Sequence, residues 1–189
     1  MKVFESSCTF DYPWRSVSVA NWRKYCAWNT QSTHVVAVDT LSRSVDVPTG
    51  ILRTERLITC KQNVPRWLMK LVGSEVSYVR EVSEVDPINQ TVVMRSTNLT
   101  GSSLLSVQET VIYAPHPEAP MDKTLFTQDA QITAYGAFTR LCNTIEDWSV
   151  ERFGQNAQKG RIGFEAVLEM SKKAFGDMKH DRVEEARTR

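Results

Sequence analysis

The stretch AFTRLCNTIEDWSVERFGQNAQKGRIGFEAVLEMSKKAF, residues 137–175, repeats apolar residues at three- and four-residue steps. Phe138, Leu141, Ile145 and Trp148 lead, and Gly163, Val167 and Met170 resume the series. Phe153, Phe164, Leu168 and Phe175 widen the stripe. This is the spacing of one face of an α-helix. At ~1.5 Å per residue such a helix is about 55–60 Å long, with Gly154, Gly160 and Gly163 as places where it can bend.

The stripe is interrupted. Stepping on from Trp148 by four, four and three residues reaches Arg152, Asn156 and Lys159 before Gly163 resumes it. A basic residue, an amide and a second basic residue thus fall on the face that should be buried. Buried charges are normally paired or neutralised. Two readings follow: an anion occupies a cavity beneath the helix, or the helix surfaces there and the three side chains are solvated.

Upstream, the pattern is mostly β. Val3–Phe10 reads as a first strand, and Asp11-Tyr12-Pro13 starts a helix of about twelve residues carrying Trp14, Val17, Asn21 and Tyr25. Arg23 and Lys24 end it, where cations suit the helix dipole. Six more strands follow: His34–Val45, Ile51–Cys60, Val76–Val85, Thr91–Asn98, Leu104–Tyr113 and Thr124–Ala134. Pro48-Thr49-Gly50, Asp86-Pro87-Ile88-Asn89 and Thr100-Gly101-Ser102 supply turns at steps of about ten residues, the signature of an antiparallel meander. No helix separates these strands, which argues against a doubly wound parallel sheet. The predicted class is α+β: a curved seven-stranded antiparallel sheet gripping one long C-terminal helix, with the space between them either core or cavity.

The link Lys61–Gly73 is too long for a hairpin turn. Pro65 can start a short helix with Trp67, Leu68, Leu71 and Val72 on one side and Arg66 and Lys70 near the other. An amphipathic basic segment with a Trp suits a membrane interface, or equally a loop packing its apolar side on the core. The tail Gly176–Arg189 is mostly charged and reads as disordered or as a frayed helix end.

With 189 residues the chain is most simply one domain with a real core. A net charge of +1 makes no case for nucleic acid. Cys8, Cys26, Cys60 and Cys142 form no CxxC pair, and His34, His116 and His180 are isolated, so no local metal motif is present. No apolar run approaches the ~18 residues of a membrane span. Met1–Phe10 mixes Glu5 and Ser6 among apolar residues, and reads as neither a secretory signal nor an Arg-rich matrix presequence.

Motifs for catalysis are missing: there is no nucleophile elbow, P-loop, dinucleotide fingerprint or HExxH. Glu146-Asp147 are adjacent on the helix and read as a solvated pair. Cys60 and His34 fall on neighbouring strands, with nothing else to mark a thiol protease. A container, not a catalyst, is expected.

Several stretches together resemble the PRELI domain. They are the opening strand, Arg23-Lys24-Tyr25, the His34-Val-Val-Ala-Val-Asp-Thr strand, Arg56-Leu57, Val64-Pro65-Arg66-Trp67, Val85-Asp86-Pro87, and Glu146-Asp147-Trp148-Ser149…Phe153…Asn156-Ala-Gln-Lys159-Gly. The middle, from Ser96-Thr97-Asn98-Leu99-Thr100 through Val111-Ile-Tyr113-Ala-Pro-His-Pro-Glu118, is similar to the slowmo branch, and Trp148–Phe153 to the Ups/PRELI branch. The match covers about residues 1–172, leaving 173–189 as a charged tail.

The resemblance implies a START-like lipid carrier of the mitochondrial intermembrane space. It implies no enzyme activity and no cofactor: the bound phospholipid is cargo. The expected partner is a small twin Cys-x9-Cys helical protein forming a heterodimer, and membrane contact is transient. Carried over residue by residue, the headgroup positions are Lys24, His34, Arg152, Asn156 and Lys159, with two extra residues in this chain between Tyr25 and His34. Pro65, Arg66, Trp67, Leu68, Met69 and Leu71 would form the lid that meets the membrane. Phosphatidic-acid carriers place lysines where this chain has Cys60 and Asn63, with only Lys61 nearby. That departure favours a larger headgroup such as phosphoserine. The rival readings are a lipid-dependent adaptor that transfers nothing and an enzyme on a START-like scaffold.

Overall fold

The computed structural model describes residues 1–26, 28–61 and 74–187, with side chains as far as Lys173. In chain order the elements are β1 (Lys2–Phe10), α1 (Trp14–Ala20), 3-10 turns at Asn21–Arg23 and Thr30–Ser32, β2 (Val35–Val45), β3 (Leu52–Lys61), β4 (Val76–Asp86), β5 (Thr91–Asn98), β6 (Leu105–Pro115), β7 (Thr124–Ala134) and α2 (Thr139–Arg187). The seven strands form one sheet in the order β1-β7-β6-β5-β4-β3-β2. Every pairing is antiparallel. β2 to β7 form the predicted meander, and β1 closes on β7, which leaves β1 and β2 as the sheet's open edges. Gly50, at φ 71°, makes the β2–β3 turn that Pro48-Thr49-Gly50 foretold.

Strands form where apolar and polar residues alternate. In β3, Thr54, Arg56, Ile58 and Cys60 are buried while their neighbours are not. The same alternation puts Val92 and Met94 of β5 and Val111 and Tyr113 of β6 on the inner face. A period of two does this automatically on a pleated sheet.

α1 and the second half of α2 close one half of that inner face. Phe10, Trp14, Val17, Val92, Tyr113, Phe164, Val167 and Leu168 belong to a single core cluster. The Phe164 ring meets Phe10 edge-on at 5.3 Å and Tyr113 at 5.8 Å between centroids. Trp14 reaches across to donate its indole N–H to the Tyr113 carbonyl at 3.2 Å. Near its start, α2 lies against β7 and β1, and Phe153 meets Phe4 edge-on at 5.2 Å.

Four expectations need correcting. The first helix is seven residues, not twelve: it tightens into the 3-10 turn at Asn21, so Lys24 and Tyr25 leave it. The buried stripe of α2 runs through Ile145, Ser149, Gly163, Phe164, Val167 and Leu168, whereas Phe138, Leu141 and Met170 are exposed and Trp148 is only half-buried. Glu146 is not solvated: it is buried, accepts the Ala134 N–H at 2.9 Å and pairs with the Met1 amino group at 2.8 Å. That amino group first, and the Ala134 N–H second, hold its carboxyl below the usual range. Finally, the charged tail does not end the helix, which continues to Arg187. The expected lid residues Pro65, Arg66, Trp67, Leu68, Met69 and Leu71 lie outside the described residues.

Gly163 is a docking point instead of a bend. A Cβ there would sit 2.7 Å from Asn29 Oδ1 and 2.9 Å from Gln31 Cβ. Gly160, one turn earlier, has open space around it. Gly163→Ala is therefore expected to lose about 1–3 kcal/mol by overpacking. Gly160→Ala is expected to gain about 0.5–1 kcal/mol from the lower conformational freedom of the unfolded chain. Opposite shifts in denaturant midpoint for the two variants check the pair.

Candidate functional site

Between Ser149 and Gly163 no residue of α2 is fully buried. Apart from Phe153 against Phe4, the helix is loosely covered there, and beneath it lies a cavity of about 240 Å³. Its walls come from three places: Phe153, Asn156 and Phe164 of α2, the Lys24–His34 segment, and the inner face of the sheet from Phe10 of β1 to Val35 of β2. The cavity is the space that a helix over a curved sheet was expected to leave.

The segment from Lys24 to His34 has little regular structure and is held by side chains. Asn29 donates Nδ2–H to the Lys24 carbonyl at 2.6 Å and accepts the Gln31 N–H at 3.1 Å. Ser32 Oγ adds a donor to the same Lys24 carbonyl at 3.4 Å. At its far end, the His34 carbonyl accepts the Lys61 N–H at 2.8 Å, which starts the β2–β3 ladder. His34 thus sits just before β2, not within it.

Lys24, His34 and Asn156 line the cavity. Arg152 and Lys159 are not among the lining residues; Arg152 is half-buried and Lys159 is exposed. Both nevertheless act on His34. Burial first, then the positive charges of Arg152 and Lys159, push the His34 imidazole below its ordinary pKa of 6.5. Arg152 Nε is buried with no hydrogen-bond partner among the described residues. A buried, unsatisfied N–H is costly in either a neutral or a charged group, so this atom marks where an acceptor is missing.

The sheet adds polar groups that the helix pattern did not foretell. Arg56 and Glu81 form an ion pair buried on both sides, with Arg56 Nε 2.9 Å from Glu81 Oε1. The Arg56 guanidinium also lies over the rings of Trp22 at 5.2 Å and Tyr25 at 6.0 Å. Lys24 Nζ in turn sits 4.9 Å from the Tyr25 ring centroid. Glu109 accepts from Ser96 Oγ at 2.7 Å and from Gln128 Nε2 at 2.6 Å. Glu81, Ser96, Glu109 and Gln128 all face the cavity. In sequence, two of them stand in phase with apolar inner-face neighbours, Ser96 with Val92 and Met94, Glu109 with Val107 and Val111. That is the signal by which they could have been found.

Burial pushes the Cys60 thiol up to about 11 and the Tyr113 phenol up to about 12. A thiol so raised stays protonated at neutral pH, the opposite of what an attacking thiolate needs. Among the described residues no group of three or more His, Cys, Asp or Glu could hold a metal ion. No described helix is long and apolar enough to cross a membrane.

The lowered His34 pKa has a defined sign. The unfolded chain binds the proton more readily, so His34 withdraws stability as pH falls through 6.5 towards its folded value. Its NMR titration midpoint should lie below 6.5 in the ligand-free protein. Removing a neighbouring positive charge, as in Arg152→Gln, should move that midpoint upward, and so should an anion bound beside it.

Comparison with known proteins places this architecture. The description "PRELI-like family" matches residues 15–174. "Protein UPS2, mitochondrial" of Saccharomyces cerevisiae is 54% identical over 171 residues, covering 90% of this chain and 74% of its own length. "UPS-like protein C36.10" of Schizosaccharomyces pombe is 51% identical over 170 residues, covering 89% and 90%. The "Protein slowmo homolog" of Dictyostelium discoideum is 33% identical over 176 residues, covering 92% and 75%. Among solved structures, TTHA0849 from Thermus thermophilus matches with a TM-score of 0.57 at 13% identity, covering 90% of this chain and 99% of that one. The Zhui aromatase/cyclase from Streptomyces matches with 0.54 at 12% identity, covering 91% and 94%. At such identities these two speak for the START-like fold alone.

Proposed function

The chain belongs to the PRELI-like family, and we propose that it is a phospholipid carrier, not an enzyme. It lifts an anionic phospholipid, phosphatidylserine or phosphatidic acid, from one mitochondrial membrane and delivers it to the other. The observation that carries this reading is the Nε of Arg152, buried and without a partner among the described residues, close enough to cavity-lining His34 to lower its pKa. A phosphate oxygen supplies the acceptor that atom lacks. Lys24 and Lys159 add positive charge, and His34 and Asn156 add hydrogen bonds; bonds from charged donors to phosphate are the stronger kind.

The apolar part of the task is larger. A diacyl lipid hides about 30 methylenes, and at ~0.8 kcal/mol each their exposure to water costs roughly 20 kcal/mol or more. A carrier must offer an apolar path of similar free energy. The cavity, at about 240 Å³, fits a headgroup and its glycerol; the chains need an opening step. We assign that step to Pro65–Gly73, whose composition suits a membrane interface. The missing lysines at Cys60 and Asn63 favour phosphoserine over phosphatidic acid as the headgroup.

We place the protein in mitochondria, as the Saccharomyces cerevisiae relative's name does for that protein, and within them in the intermembrane space, between the two membranes it serves. A small twin Cys-x9-Cys helical protein is its proposed heterodimer partner.

Arg152→Glu is expected to cut phospholipid transfer between liposomes by at least about tenfold, the loss of one charge-assisted contact to phosphate, while leaving the circular dichroism spectrum unchanged. Transfer at the normal rate by that variant would sink the carrier assignment. Phospholipid found by mass spectrometry in the purified protein separates a carrier from an adaptor that only docks on a partner.

A further inference from the structure

The inner face of the sheet carries one polar row at right angles to the strands. Arg56 pairs with Glu81, Glu81 with Ser96, and Ser96 with Glu109, each directly opposite the next across β3, β4, β5 and β6. Directly opposed residues have Cβ atoms about 4.5–5.5 Å apart, so two carboxylates flank one hydroxyl. Arg56 directs both its hydrogen bonds to Glu81 Oε1, and Glu81 Oε2 accepts none among the described residues. Glu81 is 3% exposed and borders the cavity. Glu109 borders it as well, and its partners among the described residues, Ser96 and Gln128, are neutral. The cavity's other wall carries Lys24. Among the described residues, Lys24 and Glu109 form no ion pair with each other or with any other group.

Among the described residues, an unpaired ammonium and an unpaired carboxylate thus face one cavity without meeting. A ligand with a single charge would satisfy one wall and leave the other with a desolvated, unmatched charge. A ligand with phosphate at one end and a cation at the other satisfies both. Resting on the carrier reading above, we propose that Glu81, Ser96 and Glu109 form a subsite for a primary ammonium group beside the ligand's phosphate, and that Glu109 sets headgroup specificity. The choice of a primary ammonium follows from donor counting. It brings three N–H groups, and the row offers an acceptor for each: Glu81 Oε2, Ser96 Oγ and a Glu109 oxygen. A quaternary ammonium has no N–H to give, and a glycerol headgroup has no charge. The serine and ethanolamine headgroups both carry the required group.

The test offers the full-length protein donor vesicles containing phosphatidylserine, N-acetyl-phosphatidylserine, phosphatidylethanolamine or phosphatidylglycerol, and measures transfer to acceptors. The wild-type protein should carry phosphatidylserine at least about tenfold faster than its N-acetyl form, which keeps the phosphate and carboxylate but loses the ammonium. Glu109→Gln should lower the phosphatidylserine to phosphatidylglycerol ratio by at least about tenfold while phosphatidylglycerol transfer persists. Faster transfer of phosphatidylethanolamine than of phosphatidylglycerol by the wild type is expected too, since the ethanolamine amine fills the same subsite. Equal transfer of phosphatidylserine and its N-acetyl form by the wild type overturns the subsite, and that arm needs no variant to fold. Failure to transfer any of these lipids, and phosphatidic acid as well, overturns the carrier reading itself.

Discussion

Everything at the cavity mouth depends on how closely α2 approaches the segment between α1 and β2. That approach is possible only because residue 163 has no side chain: a Cβ would sit 2.7 Å from Asn29 and 2.9 Å from Gln31. Among the described residues, the segment's regular structure amounts to two short 3-10 turns. Ordering each of its residues costs roughly 1–2 kcal/mol of backbone entropy. Asn29 offsets part of this from within, by bonding Gln31 on one side and Lys24 on the other, and contact with α2 offsets more. The glycine contact thus helps fix Lys24 and His34 relative to Arg152 and Asn156, beside the Lys61 bond to His34 and the bonds of Asn29 and Ser32 to Lys24.

The same contact explains how α2 can carry polar residues over a cavity. It is anchored at Ile145 and Ser149 on one side and at Gly163 to Leu168 on the other. The stretch between spans roughly 20 Å at ~1.5 Å per residue. A helix bridges such a gap without penalty to its backbone, because its N–H and C=O groups pair internally. A strand or loop in that place would need partners. Asn156 can thus face the cavity, and the sheet need not rise to meet it.

How far the sequence disclosed this depended on the range of the interaction. The strands were legible because alternation and turn chemistry are local, and Thr91–Asn98 and Thr124–Ala134 fall where alternation put them. The interruption at Arg152, Asn156 and Lys159 was legible because it breaks a period. The phase of the helix was not. Glu146 faces inward because it finds a donor in the Ala134 N–H, and the buried Ser149 hydroxyl is satisfied by the Ile145 carbonyl of its own helix at 2.7 Å. Counting only apolar residues rotated the stripe towards Trp148. Glu81, Ser96 and Glu109 escaped for a different reason. Ser96 and Glu109 are marked within their own strands only by phase, and the three become a row only once the registers of neighbouring strands are known. Gly163 escaped because its partner, Asn29, is distant in sequence.

A carrier's affinity is bounded on both sides, and this gives the two walls of the cavity different tasks. The chains of a lipid must be nearly as comfortable in the protein as in the bilayer, or extraction fails; they cannot be much more comfortable, or delivery fails. The roughly 20 kcal/mol of apolar burial therefore nearly cancels between the two environments and says little about which lipid is chosen. Choice rests on the headgroup. There, about 1.4 kcal/mol is a tenfold preference, and one unmatched group in a desolvated site costs about that much or more. Arg56 already neutralises Glu81, so among the described residues the cavity's unpaired carboxylate is Glu109, set against a wall that carries Lys24 and His34, with the Arg152 charge acting on His34. A single such charge can rank headgroups by an order of magnitude or two without trapping any of them, which is what a shuttle needs and a permanent binding protein does not.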